Sequence, residues 1–128
     1  MGDQESLGSF QKDQAVSFIE MCARGQANAA YKIYTVPDLV HHNVHFPAEP
    51  DALSAGMDEN AVEHPDKTYE VQRVLEDDDT VAIHGRVVFA GLEIAVVHIV
   101  RFDGEKIVEM WDVAMPVPDD SPNMNGPF

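Results

Sequence analysis

The apolar residues of this chain change period once, near Lys67, and that change limits the folds open to it. Ahead of it they recur at helical spacing. Beyond it they alternate, as strands require when successive side chains point to opposite faces. Ala15, Val16, Phe18, Ile19 and Cys22 mark a helix over 11–23, with Gly25 as its stop. Ala27, Ala30, Tyr31 and Tyr34 share one stripe of a shorter helix over 27–34. Val36-Pro37-Asp38 reads as a break, with Asp38 capping a single turn that reaches His41 or His42. Pro47 and Pro50 make HHNVHFPAEP extended or looped, and Asp51 caps a weak helix to about Glu63, ended by Pro65. Strands are expected over 68–75, 81–89, 93–102 and 106–117. Helices followed by an antiparallel meander give an α+β domain, a cone-shaped curved sheet with the N-terminal helices over one face. One domain is expected over 1–128, with 1–9 and about 119–128 irregular.

Composition excludes several classes of function. Eight basic residues stand against 23 acidic ones, for a net charge of −15, so nucleic-acid backbones and anionic membranes are repelled. With 128 residues and 45% hydrophobic content the chain can build a core without staples. Cys22 is the only cysteine, which rules out an internal disulfide, and its helical setting reads as a small buried hydrophobe rather than a nucleophile. No apolar run approaches the length of a membrane span and the first residues are polar and acidic, so the expected compartment is the cytoplasm.

The segment HIVRFDGEKIVEMWD, from His98 to Asp112, carries the candidate chemistry. It reads as a hairpin, with His98 and Asp112 fourteen positions apart. An odd loop such as Asp103-Gly104-Glu105 puts both on one face, with His98 opposite Met110 and diagonal to Asp112. A two-residue loop puts them on opposite faces. The shared face is the expectation, since a carboxylate and an imidazole in one dry pocket can transfer protons. Ile94, Val96, His98, Val100 and Phe102 would then line the pocket with Val108, Met110, Asp112 and Ala114. His84 joins them if the Ala90-Gly91 turn holds three residues and leaves them if it holds two. The outer face carries Val97, Ile99, Trp111, Val113 and Met115, too apolar to meet only water, and a homodimer through that face is expected.

With these residues in view, the chain resembles the SnoaL-like polyketide cyclases of the nuclear-transport-factor-2-like (cystatin-like) superfamily. VHIVRFDGEKIVEMWD is similar to the cyclase strand pair that carries a histidine and, fourteen residues on, an aspartate. The resemblance implies that Asp112 is the general acid/base of an intramolecular aldol condensation and His98 its pocket partner. DLVHHNVHFP resembles the His-Asn loop of related proteins, which implies pocket roles for His42 and Asn43. Two departures stand out: Met110 lies where many relatives have histidine, and no proline follows Asn43.

Three activities fit this reading. The first is cofactor-independent proton transfer next to a carbonyl, in the cyclisation or isomerisation of a keto or polyketide-like molecule. The second is a dehydratase using the same pair, with Tyr31 or Tyr34 polarising a carbonyl. The third is a non-catalytic protein that binds a hydrophobic small molecule. The candidate substrate-binding set is therefore His42, Asn43, His84, Met110, Tyr31 and Tyr34. His41, His42 and His45 follow no established metal-ligand spacing, and no metal or cofactor is assigned.

Overall fold

Three helices and an open five-stranded sheet follow one another along the chain as α1 (Asp3–Ala23), α2 (Ala27–Tyr34), β1 (Thr35–His41), α3 (Pro50–Glu63), β2 (Thr68–Asp77), β3 (Thr80–Phe89), β4 (Leu92–Asp103) and β5 (Lys106–Pro116). The computed structural model describes residues 3–128, with side chains from Phe10 onward. The sheet order is β1-β5-β4-β3-β2, antiparallel except for the edge pair β1–β5, which is parallel. No helix among the described residues is long and apolar enough to cross a membrane.

The apolar stripes read from the sequence form the core. Ala15, Phe18, Ile19 and Cys22 of α1 bury against Ala27, Ala30 and Tyr31 of α2, and both helices lie on the inner face of the sheet against Ile83, Val100, Phe102 and Met110. Gly25 takes φ +84°, the left-handed conformation that lets the chain leave α1 and return Gln26 N–H to the Met21 carbonyl. The start of α2 is held from α3, where the Asp58 carboxylate accepts from Ala27 N–H (2.7 Å) and Asn28 N–H (3.1 Å). An anion at a helix N-terminus satisfies otherwise unpaired amides and the positive end of the helix dipole. Gln11 Nε2 donates to the Gly104 carbonyl (2.8 Å), tying α1 to the β4–β5 turn.

Four local expectations are corrected. The irregular stretch 1–9 is helical from Asp3 in its backbone, and residues 1 and 2 lie outside the described residues. The break at Val36-Pro37-Asp38 is a strand in which Thr35, Leu39 and His41 are buried. An edge strand with a register irregularity tolerates Pro37, since a missing N–H costs little where no ladder bond is needed. Pro50 opens α3 rather than excluding helix, and Asp51 sits in its first turn without capping it. Finally, the sheet has a parallel edge strand that the meander pattern does not announce. Residues from Pro118 onward carry no helix or strand.

Candidate active site

The β4–β5 hairpin decides the site. Its loop holds two residues, Gly104-Glu105, because Asp103 pairs with Lys106. A two-residue loop alone would set His98 and Asp112 on opposite faces. The register then shifts: Phe102 pairs with Ile107, but Arg101 pairs with Glu109, leaving Val108 as an extra residue on β5. That bulge restores the parity. His98 stands directly opposite Asp112, and Val100 opposite Met110, so the expected odd loop and the His98–Met110 pairing are both corrected while the shared face stands. The bulge also turns Ile107 inward, where it is fully buried, rather than outward as simple alternation implies.

His98 Nε2 lies 3.7 Å from Asp112 Oδ1, beyond hydrogen-bond distance, with 14% and 9% of the two side chains exposed. Asp112 is held from the other side, where Asn43 Nδ2 donates to Asp112 Oδ2 (3.0 Å). Asn43 is itself fixed. Its Oδ1 accepts from His45 N–H (3.0 Å), and its own N–H donates to His41 Nδ1 (3.2 Å). His41 therefore carries its proton on Nε2, which donates to the Pro47 carbonyl (2.7 Å). The His-Asn loop thus positions the aspartate.

A cavity of about 260 Å³ opens beside His98. Its walls are Ile19, Cys22 and Met57 from the helices and Val87, Phe89, Ile94 and Val96 from the sheet, with His98, Tyr69, Lys67 and Asn60 as polar members. Asp112 stands behind His98 rather than in the wall. The Tyr69 ring lies 6.1 Å from the His98 ring, in space that Gly85 leaves open. A Cβ at position 85 would meet Tyr69 Cζ and Oη at 2.7 Å. Three buried polar atoms have no partner here: Tyr69 Oη, His98 Nδ1 and Asp112 Oδ1. Buried polar groups are nearly always paired, so three orphans around one imidazole call for an explanation.

The electrostatics follow from burial. Desolvation lowers the His98 pKa from its ordinary 6.5, the Asp112 charge opposes this, and Lys67 adds to the lowering, so the imidazole is neutral at neutral pH. Burial pushes the Tyr69 hydroxyl up, with the charges of Glu20 and Asp112 adding to it, which keeps it a proton donor. Burial likewise raises the Cys22 thiol, which stays protonated as the apolar reading of that residue expects.

Several residues expected at the pocket lie elsewhere. His84 pairs with Val97, since the Ala90-Gly91 turn holds two residues, and it faces outward against the Phe128 ring at 5.8 Å. His42 is also on the outer face, stacked on Trp111 at 5.0 Å and hydrogen-bonded to Glu109 (2.8 Å). Tyr31 and Tyr34 pack on Phe18 at 5.4 and 6.0 Å, because their helical stripe faces α1. Met110 is fully buried, its sulfur 3.8 Å from the Tyr31 hydroxyl, and forms no part of the cavity wall. Of the expected binding set only Asn43 reaches the pair, and it does so through Asp112. Sequence reasoning missed Tyr69, Lys67 and Asn60; the inward parity of Tyr69 in TYEV was the one available signal. Among the described residues no three His, Cys, Asp or Glu side chains converge as a metal site would need.

Comparison with known proteins places this arrangement. The profile of the SnoaL-like domain matches residues 15–110, and the chain belongs to that family. The matched segment includes His98 and stops two residues short of Asp112. An NTF-2-like protein of unknown function from Burkholderia xenovorans superposes with a TM-score of 0.73 at 16% identity, over 91% of each chain. AclR from Streptomyces galilaeus, provisionally named a hydroxylase, does so with a TM-score of 0.71 at 22% identity, covering 84% of this chain and 90% of that one. A SnoaL-like polyketide cyclase from Agrobacterium tumefaciens gives 0.65 at 12%, covering 82% and 91%. At such identities the likeness is one of fold. No functionally curated protein sequence matches the chain.

Proposed function

We propose that this protein is a cofactor-independent acid/base catalyst acting next to a carbonyl of a hydrophobic keto compound, in an aldol-type cyclisation or an isomerisation. The observation that carries the reading is the cluster of unpaired buried polar atoms at Tyr69, His98 and Asp112 beside a largely apolar cavity. Neutral His98, the member of the pair in the cavity wall, takes the α-proton on Nδ1. The C–H electron pair moves into the carbonyl, and Tyr69 Oη donates to the resulting enolate oxygen. Asp112 faces Nε2 and stabilises the imidazolium, closing its 3.7 Å gap as charge develops. The enolate carbon then attacks a second carbonyl, or is reprotonated elsewhere, and His98 returns its proton. This moves the base role from Asp112 to His98 and leaves Asp112 essential. A dehydratase would use the same pair, and product analysis distinguishes it.

The test works without identifying the natural substrate. Aryl ketones and β-dicarbonyl compounds incubated with the protein in D2O should lose α-proton signal in NMR spectra faster than in buffer. A non-catalytic binding protein would bind members of the panel without accelerating exchange in any of them, and that result would overturn the catalytic reading.

The outer sheet face is the proposed homodimer contact. Val113 and Met115 remain 63% and 54% exposed there, next to Trp111. Leaving such side chains in water is unfavourable by roughly 1.5–3 kcal/mol each relative to burial. Trp111→Glu should shift the protein from dimer to monomer in sedimentation. If wild-type protein is already a monomer at micromolar concentration, the face has no second copy on it and the proposal fails.

A further inference from the structure

Among the described residues, Lys67 is the one basic residue that is neither exposed nor paired with a carboxylate. Five of the eight basic residues are exposed, while Arg86 pairs with Glu70 and Glu93, and Arg101 with Glu109. Lys67 is half-buried in the cavity wall, and its ammonium donates to the neutral Asn60 Oδ1 (2.9 Å). Among the described residues it forms no ion pair, in a chain with 23 acidic residues to choose from. Glu20 shares a neighbouring surface hollow with it but makes no contact of that kind. The ammonium sits 5.7 Å from the Phe89 ring centre, and Phe89 lies six residues along β3 from Ile83, the strand partner of His98. The cavity therefore has a cation towards one end and the acid/base group towards the other, with Val87, Ile94 and Val96 between.

We infer that Lys67 and Asn60 form an anion-recognition subsite, so that the molecule taken by this cavity is an apolar compound bearing a carboxylate. The inference rests on the proposed site in one respect, that the same cavity receives the keto compound. An ammonium in an apolar wall is costly unless an opposite charge meets it. Its burial already lowers the Lys67 pKa, the direction expected of a cation short of countercharge. A bound carboxylate supplies that charge, and Asn60 holds the ammonium in place for it. A charge-assisted hydrogen bond formed out of water is stronger than a neutral one. The carboxylate end would also fix which carbon of the substrate reaches His98.

The experiment compares 2-naphthoate with 2-naphthamide, equal in shape and different in charge, by fluorescence titration of the 128-residue protein. Wild type should bind the carboxylate at least about tenfold more tightly. Lys67→Met, which keeps an apolar stem, should abolish the preference, and Lys67→Arg should retain it. Protein carrying 13C-labelled lysine provides a readout that does not depend on a variant folding. The Lys67 Cε resonance should move on adding naphthoate and stay in place with naphthamide. Equal binding of the two probes, no binding of either, a preference that survives Lys67→Met, or an unmoved Lys67 resonance would overturn the inference. Because nothing is turned over, such a failure leaves proton transfer at His98 standing, and a failure of α-proton exchange leaves the subsite standing.

Discussion

Asp112→Asn should lower the rate of α-proton exchange by about 10²–10⁴ while leaving the fold intact. The substitution is isosteric, and the rotated amide can still accept from Asn43 Nδ2, so the 3.0 Å contact that anchors the β5 residue to the His-Asn loop can survive. What disappears is the charge that faces His98 Nε2. Without it the imidazole loses the counterion for its protonated state, and desolvation, the larger influence on this histidine, acts unopposed. Circular dichroism and thermal melting establish the fold, and the NMR exchange assay reads the rate. Exchange within about twofold of wild type would remove Asp112 from the mechanism.

Phe18→Ala should destabilise the protein by about 3–5 kcal/mol. Phe18 is fully buried on α1 and meets the rings of Tyr31 and Tyr34 on α2, so its removal empties the contact between the first two helices. The same two helices roof the sheet face that carries the site, and Ile19 and Cys22, on the next residues of that stripe, are cavity walls. Denaturant unfolding measures the loss. A change below about 1 kcal/mol would mean that the helical layer contributes little to the stability of the sheet beneath it.

Much of this architecture was legible in the residue pattern. The stripe from Ala27 to Tyr34 gave the second helix its observed limits, and period-two alternation placed β2 to β5 within about two residues at most ends. β1 escaped because Pro37 reads as a break, and only the parallel partner β5 makes an edge strand of it. The candidate pair was legible only as a conditional, since its facing depended on an odd residue somewhere in the hairpin. Alternation cannot say whether that residue falls in the turn or, as it does, in a strand at Val108. His42 and His84 were misplaced for related reasons: each facing depends on where a strand starts or how many residues a turn holds. Asn60 lies near the end of α3, Tyr69 near the start of β2 and Lys67 in the loop between them, so they are near one another in sequence, but only the packing of that junction against the sheet brings them to one cavity with His98.

The unpaired residue at Val108 ties the site to an arithmetic of insertions and deletions. Removing Val108 would return Asp112 to the solvent side with no change of sequence near either member of the pair. Adding one residue to the Gly104-Glu105 turn at the same time would bring it back. Each of these single-residue length changes alone reverses the facing of Asp112, and the two combined restore it. Exchanging the bulge for a longer turn therefore takes both changes. The length of the hairpin, and not only its residues, decides which face the aspartate takes.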